Sequence, residues 1–503
     1  VGTSHESENY DRFTAKRINF DQQENMSLQL GSAQDQNAWS EGNQWTINSF
    51  FSRVNYTFAN KYVIEGTIRA DGSSRFDPDH RWGWFPGVNA AWRVGEEGFM
   101  KRLGWFEDLK VRASYGEMGN QSGIGLYDYI QLISLSNDYY PFGTGVKGQM
   151  ATSGNIISTS RTWETIQTTN VGFDFSTLNN RLYGSFDYFW KENKNMLIPK
   201  TYPSMLGADA PSTNSGHLSI HGWEISLGWR DQIKDFSYSV RFNISDAKNK
   251  VVDRVGSNLI QLGNNETPTG YPLNSYFGYE FDGIIQNEQE LEAYKSRFSE
   301  GGIPGDLSVG DAMYKDLDGD GKLSVLGDGK EGSGDVKYLG DKNPRYNFGF
   351  NLSMAWKGFD LSAFIQGVGR RTMFLEGESR CPMPEAWYQS AEYWYGKTWT
   401  PERTDAQYPA ITLKDKRNYN YYVSTNTKFN VAYARLKNLQ FGYTIPQTLT
   451  SKAGLQKVRV YFSGEDLFEV HNTPNGWDPE ENSGSITSYP FTRNYSFGIN
   501  VVF

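Results

Sequence analysis

The chain has 503 residues, with 49 Lys and Arg against 58 Asp and Glu for a formal charge of -9, which excludes the basic excess expected of a nucleic-acid binder. Hydrophobic residues make up 38% and aromatics 15%, and a single cysteine, Cys381, excludes an intrachain disulfide and a Cys-based zinc site. No run approaches the ~18 apolar residues of a membrane helix, so any crossing of a bilayer is made by strands.

In chain order, period-2 alternation of apolar and polar residues first appears near 46–58, 61–70 and 84–93. Leu109, Val111, Ala113 and Tyr115 then oppose Lys110, Arg112, Ser114 and Gly116, and runs near 168–177 and 180–192 follow. Trp223, Ile225, Leu227 and Trp229 oppose Glu224, Ser226, Gly228 and Arg230, and Phe236 to Ile244 alternates with Ser237 to Ser245. Phe348 to Trp356 repeats the pattern, as do 358–368, 429–444 and 456–464. The last strand carries Tyr495, Phe497, Ile499, Val501 and Phe503 on one face. We expect roughly 13 to 15 strands, each near the ~9–11 residues that a tilted strand needs to cross a bilayer.

Such strands suit either a soluble sandwich, apolar faces turned together, or a membrane barrel, apolar faces turned to lipid. Trp190, Trp223, Trp229, Trp356 and Tyr443 near strand ends favour the barrel, because aromatic rings settle at lipid headgroups. So do the connections: Asn179-Asn180 and Lys357-Gly358 are tight turns, whereas 194–216, 251–344 and 371–426 are long excursions.

One loop carries a chemical pattern. In DLDGDGKLSVLGD, Asp316, Asp318 and Asp320 offer carboxylates at alternate positions, Lys322 its carbonyl and Ser324 a hydroxyl, and glycine at the sixth position permits the sharp turn of a calcium loop. The twelfth position is Gly327, and the closing carboxylate comes one residue late at Asp328. A Gly/Asp-rich turn bonding its own backbone accounts for the same residues. His217 and His221 have the spacing of a zinc helix but lie in a strand-like stretch, Gly396-Lys397-Thr398 lacks the rest of a phosphate loop, and a solvated turn explains Asp478, Glu480 and Glu481. No catalytic constellation stands out. The stretch 384–400 is rich in aromatics, among them Trp387, Tyr388, Trp394, Tyr395 and Trp399. These suit substrate contact, lid contact or the internal core of a loop.

Several stretches resemble SusC/RagA-type TonB-dependent outer-membrane transporters: RADGSSRF (69–76), RWGWFPGVNAAWRV (81–94), LKVRASYGEMGNQ (109–121), NSGHLSIHGWEISL (214–227), YFGYEFDGIIQ (276–286), YKDLDGDGKLS (314–324), ARLKNLQFGYTIP (434–446), RVYFSGEDLF (459–468), WDPE (477–480) and the terminal YSFGINVVF. The resemblance implies an all-β fold, a transmembrane antiparallel β-barrel of roughly 22 strands, of which residues 1–503 are a C-terminal portion. Segments 251–344 and 371–426 are then long extracellular loops. It also implies a plug, an energy-coupling box and first strands ahead of this region, and an open sheet in lipid is unstable without them. The implied activity is import, without catalysis, of oligosaccharides or oligopeptides across the outer membrane of a Gram-negative bacterium. The implied partners are a SusD-like surface lipoprotein, the TonB complex, and outer-membrane lipid and lipopolysaccharide. A barrel-assembly signal falls on Phe503, and a structural calcium ion at Asp316–Asp328. A non-transporting structural or assembly subunit is the alternative, and a soluble calcium-dependent sugar-binding sandwich a third reading.

Overall fold

The computed structural model describes the chain apart from residues 21–23, 25, 35, 137–140, 143–145, 148–149, 154–155, 200–204, 206–211, 255–261, 264–266, 327–333, 385–388, 413–414, 482–483, 485–488 and 490. Fourteen strands form one sheet: β1 (Gly2–Arg17), β2 (Gln36–Phe58), β3 (Tyr62–Ser73), β4 (Trp82–Arg93), β5 (Asp108–Asn120), β6 (Glu164–Thr177), β7 (Leu182–Pro199), β8 (Ser212–Ile233), β9 (Phe236–Asp253), β10 (Arg345–Trp356), β11 (Phe359–Arg370), β12 (Tyr433–Thr444), β13 (Lys457–His471) and β14 (Asn494–Val502). Each pairs antiparallel with its neighbour in sequence, an up-and-down meander. No described helix is long and apolar enough to cross a membrane.

Cross-strand register decides which side chains share a face. Tyr62 lies opposite Trp92, Ile64 opposite Ala90, Val111 opposite Trp92 and Phe173. The same row continues through Phe186, Ile225, Ile244 and Phe348. On this face Val54 (68%), Ile64 (56%), Trp84 (65%) and Trp356 (51%) stay exposed, so no described layer covers it. A sandwich must bury that surface, whereas a barrel gives it to lipid. The opposite face carries Arg53, Glu65, Arg112, Asp174, Asp360 and Arg459, a polar lining.

Hairpins on one rim are short. Positive φ at Ala59 and Asn60, and at Lys357 (46°) and Gly358 (89°), supplies the left-handed backbone conformation whose turn matches the right-handed twist of the paired strands. A side chain on Gly358 would also meet the Thr444 carbonyl at 2.8 Å. Aromatic rings gather above these turns: Phe359 lies 4.5 Å from Tyr443 and 5.9 Å from Phe441 between centroids, and Tyr62 lies 6.4 Å from Trp92. The other rim carries the long connections, including 121–163.

Three expectations about extent change. Strands run from 9 to 23 residues, and all but β14 exceed the ~9–11 that a bilayer requires, because they continue beyond the apolar band on the long-loop side. Trp190 and Trp223 therefore lie well inside β7 and β8, not at their ends. The excursion 194–216 shrinks, since β7 and β8 stay paired as far as Pro199 opposite Ser212.

The connections 254–344 and 371–432 fold together. The first contains the hairpin of Ser275–Tyr279 with Val336–Asp341, a second pair Phe281–Ile284 with Ala312–Tyr314, and helix α1 (Glu288–Arg297), capped by the Asn287 side chain accepting from Glu290 N at 2.9 Å. Its core of Tyr279, Ile285, Leu291, Tyr294 and Tyr314 includes Tyr419 from the second connection. A parallel bridge between Tyr279 and Ser424 joins the two backbones. We call this unit the cap.

Candidate functional site

The inner wall is built from paired charges. Arg112 of β5 donates to Asp174 of β6 (3.0 Å) and to Asp187 of β7 (2.6 and 2.8 Å), and Lys110 reaches Asp174 at 2.8 Å. One guanidinium thus ties three strands through its fixed fork of donors. Glu65 accepts from Arg53 Nε (2.7 Å), Asn55 (3.1 Å) and Asn89 (3.2 Å), and Asp360 accepts from Arg459 Nε at 2.9 Å. Arg230 and Arg241 both lie over the Tyr183 ring, 5.2 and 5.8 Å from its centroid, and Glu224 is exposed on the same face of the sheet.

Higher on this wall is a recess of about 810 Å³, lined by Arg53, Arg69, Asp71, Phe85 and Trp163 among others. Arg69 Nε donates to Asp71 at 2.8 Å and its Nη2 to Ser49 at 2.9 Å, while Trp163 donates to the Arg81 carbonyl at 2.8 Å and packs tilted against Phe76 and edge-to-face with Phe85. Charged forks beside aromatic faces can grip the backbone and side groups of a polar oligomer. The stretches 69–76 and 81–94 carried the family resemblance without a role; the structure folds both around this recess.

Asp316, Asp318 and Asp335 bring carboxylate oxygens within 4.8 Å of one another. Asp316 accepts from the amides of Gly319 (2.7 Å) and Gly321 (3.0 Å), Asp318 from those of Asp320 (3.2 Å) and Gly334 (2.8 Å), and Asp335 from those of Leu317 (2.6 Å) and Ser324 (2.7 Å). Burial raises the Asp335 carboxyl above its usual range against those two amide bonds, and the neighbouring Asp318 and Asp316 charges push the same way. Asp320 turns to the Lys322 amide (2.8 Å) and is not in the group. The Lys322 carbonyl and the Ser324 hydroxyl, expected as further oxygens, are not part of this acidic trio, and Asp328 lies outside the described residues. Asp335, which spacing did not suggest, is the third acid.

Of the aromatic stretch, Trp394 is 3% exposed and belongs to a loop core with Tyr393, Tyr408, Tyr421 and Trp477, so it has no surface to offer a substrate or a lid. Trp399 is half-buried and donates to Gln286 at 3.0 Å across the cap. Tyr395 is 91% exposed. Trp387 and Tyr388 lie outside the described residues. Lys397 sits 3.5 Å from the centroid of Tyr393, and burial lowers its pKa, which explains it without a phosphate. His217 bonds Glu192 at 2.6 Å and His221 is exposed four residues along the same strand, about 13 Å away at strand rise, too far to share a metal.

Asp478 and Glu480, half-buried at 19% side-chain exposure, are ion-paired as well as partly solvated. Arg435, with a side chain 2% exposed, meets Asp478 at 2.5 Å, Glu480 at 3.0 Å and Glu469 at 3.8 Å, while Lys437 reaches Asp466 (2.7 Å) and Glu480 (3.2 Å). Phe503 ends the chain 81% exposed beyond β14.

The family model for the TonB dependent receptor-like β-barrel matches residues 1–467. The chain is 32% identical over 490 residues to TonB-dependent receptor P3 of Formosa agariphila, covering 92% of this chain and 46% of that protein. It is 27% identical over 497 residues to TonB-dependent receptor SusC of Bacteroides thetaiotaomicron, covering 93% and 45%. It superposes on a chain of the RagAB peptide transporter with a TM-score of 0.79 at 22% identity, over 99% of this chain and 52% of that one. The chain thus spans about half the length of the curated relatives it matches. With the lipid-facing aromatic rows, the polar inner wall and a match across most of its length, the chain belongs to the TonB-dependent receptor β-barrel family and is of the SusC/RagA type.

Proposed function

We propose that this barrel imports an oligosaccharide or oligopeptide across the outer membrane of a Gram-negative cell, driven through TonB and covered by a SusD-like surface lipoprotein. The observation that carries the reading is a folded cap standing above a polar, ion-paired wall with a recess of charged and aromatic groups. The named relatives support it: SusC is a TonB-dependent receptor, and RagAB is described as a peptide transporter. Passage needs binding and release, so no bond-making chemistry is assigned to any residue. Co-purification of the complete receptor from native outer membranes, followed by growth of a gene deletion on candidate glycans and peptides, tests the proposal. A bound lipoprotein with a nutrient-specific growth defect is the expected result. A lipoprotein without any growth defect on glycans or peptides replaces import with a structural role.

Within the cap, calcium fits the group Asp316, Asp318 and Asp335. Calcium takes oxygen ligands at ~2.3–2.6 Å, so oxygens within 4.8 Å of one another can share one ion. The ion would hold the loop's shape and offset the repulsion of three acids. Elemental analysis of dialysed receptor is expected to find about one calcium, lost in Asp318→Ala and Asp335→Asn. Equal calcium in parent and variants leaves only the backbone-bonded turn.

Phe503 is proposed as part of the barrel-assembly signal. Its deletion in the complete receptor should lower the outer-membrane level several-fold; an unchanged level removes that role.

A further inference from the structure

The charges of the inner wall are unevenly satisfied from rim to rim. Arg53, Arg69, Lys110, Arg112, Arg435 and Arg459 each hold a carboxylate. Near the short-turn rim this pairing stops. Arg230 of β8 and Arg241 of β9, both exposed, make no ion pair among the described residues: Arg230 donates to the Asn180 carbonyl at 3.1 Å, and Arg241 to the Tyr183 hydroxyl at 3.4 Å. The acids nearby are engaged or distant. Asp231 lies on the outward face and is held by Arg181 at 3.3 Å, Asp187 is held by Arg112, and Glu224 stands four residues up β8 from Gly228, about 13 Å at strand rise. Asp235 is exposed in the turn between β8 and β9 and pairs with neither arginine.

The two cations share a seat. Tyr183 of β7 lies opposite Gly228, and Gly228 opposite Arg241, so the ring and this arginine belong to one row of the lumen face. A Cβ on Gly228 would come within 2.3 Å of the Tyr183 ring, so only the absence of a side chain there lets the ring lie across β8. Both guanidiniums rest over that ring. A ring face attracts each cation but neutralises neither. Beside the seat opens a recess of about 640 Å³, bordered by Arg230, Gln232, Ser237, Ser239, Ser353 and Ala355. Register sets these six in two rows on the lumen side, Arg230 with Ser239 and Ser353, Gln232 with Ser237 and Ala355.

We propose that Arg230 and Arg241, seated on Tyr183, form an anion-binding step at the exit end of the lumen, and that the imported oligomer carries carboxylate groups which this step receives. The inference rests on the import reading above and narrows it to an acidic cargo. Short turns mark the periplasmic rim of such a barrel. Cargo therefore meets the internally paired charges of the upper recess first and the unpaired arginines last. Pores select anions with arginine and lysine side chains, and the guanidinium fork matches a carboxylate. A packed protein segment would also supply an acid, but it needs apolar contacts to exclude water, and the recess beside the arginines offers mainly serine and glutamine. Small hydroxyl side chains suit a chain that slides past.

The test titrates the complete receptor calorimetrically with oligogalacturonate and with oligoglutamate, each beside its neutral counterpart, methyl-esterified oligogalacturonate and oligoglutamine. The expected result is tighter binding of one acidic oligomer than of its neutral counterpart, with at least about a tenfold loss of that binding in Arg230→Gln/Arg241→Gln. Which acidic oligomer binds tells saccharide from peptide. Arg230→Lys/Arg241→Lys keeps the charge and recovers part of the loss, which a merely damaged wall would not allow. Lys234→Gln, which removes a cation from the neighbouring turn, leaves binding unchanged. Equal affinity for acidic oligomers in the parent and the double glutamine variant overturns the inference, as do a parent that does not tell acid from neutral and a loss that lysine does not recover. If the double glutamine variant makes another part of the receptor protease-sensitive while acidic binding is unchanged, the arginines serve that part and the inference falls. Uptake of the same oligomers by cells carrying the parent is read in parallel: uptake of neither kind condemns the import reading, whereas uptake of neutral oligomers alone condemns only this inference.

Discussion

Arg435→Met is expected to destabilise the closing region of the barrel by about 3–5 kcal/mol, because it removes the one cation that three carboxylates share. Asp478, Glu480 and Glu469 all approach its guanidinium, at 2.5, 3.0 and 3.8 Å, and its side chain is 2% exposed. Lys437 still holds Glu480 and Arg493 still holds Glu469 at 2.6 Å, so the orphan is chiefly Asp478. The same arginine anchors the stretch around Trp477, whose ring packs in the core that contains Tyr393 and Trp394. Loss of the anchor should therefore loosen the 472–493 connection first. Thermal loss of the heat-resistant folded band on electrophoresis measures the effect on the complete receptor. Asp478→Asn in the Arg435→Met background is the control: it removes the orphaned charge and should recover part of the loss. A single Arg435→Met variant as stable as the parent refutes the argument.

The sequence made the membrane face legible because lipid imposes a strict period of two on every strand that touches it. Phe236 to Ile244 and Phe348 to Trp356 could be assigned a face from the alternation alone, and register in the structure agrees. What lipid does not touch was silent. β1 offers only Tyr10 and Phe13 as large apolar residues, on opposite faces, yet it pairs with β2 from Gly2 opposite Phe51 to Arg17 opposite Gln36. Its backbone is satisfied by a neighbour rather than by a side-chain pattern, so the alternation test passed over it and over the first ten residues of β2. The third acid of the carboxylate trio was missed for a related reason. A calcium loop read by spacing expects its last ligand at the twelfth position, but the chain leaves and returns, and Asp335 arrives just before the strand Val336–Asp341. The aromatic stretch 384–400 disclosed how much apolar surface was present, not which rings a second loop would bury. That answer belonged to Tyr408, Tyr421 and Trp477, far along the chain.

The cap should come apart as a unit, and before the sheet, when Tyr314 is cut back to alanine. Tyr314 is fully buried, and its hydroxyl donates to the Tyr419 carbonyl at 2.8 Å while its amide donates to Tyr294 Oη at 3.0 Å. Tyr294 and Tyr419 share a hydroxyl contact of 2.6 Å, so the three rings tie 254–344 to 371–432. Emptying that position costs about 3–5 kcal/mol by analogy with other large aromatic truncations, and it strands the Tyr419 carbonyl. Tyr314→Phe keeps the packing and should cost only about 1 kcal/mol. The strands hold one another through backbone ladders that the rings do not touch, so the barrel survives. Alkali should act on the same joint. Burial raises the Tyr314 and Tyr419 phenols well above their usual range and takes Tyr294 up to about 12. Below about pH 10 these phenols are neutral whether the cap is folded or not, and its stability is intact. Above that pH the opened cap ionises while the folded one resists, so stability falls as pH rises toward and past about 12. Limited proteolysis of the complete receptor in membranes reads both effects: cleavage within 254–344 and 371–432 should appear in Tyr314→Ala at neutral pH, and in the parent from about pH 10 upward, with the folded barrel band unchanged. If cap cleavage and barrel unfolding begin together, the cap is not a separate cooperative unit, and its shared tyrosine core is not what holds the two connections in place.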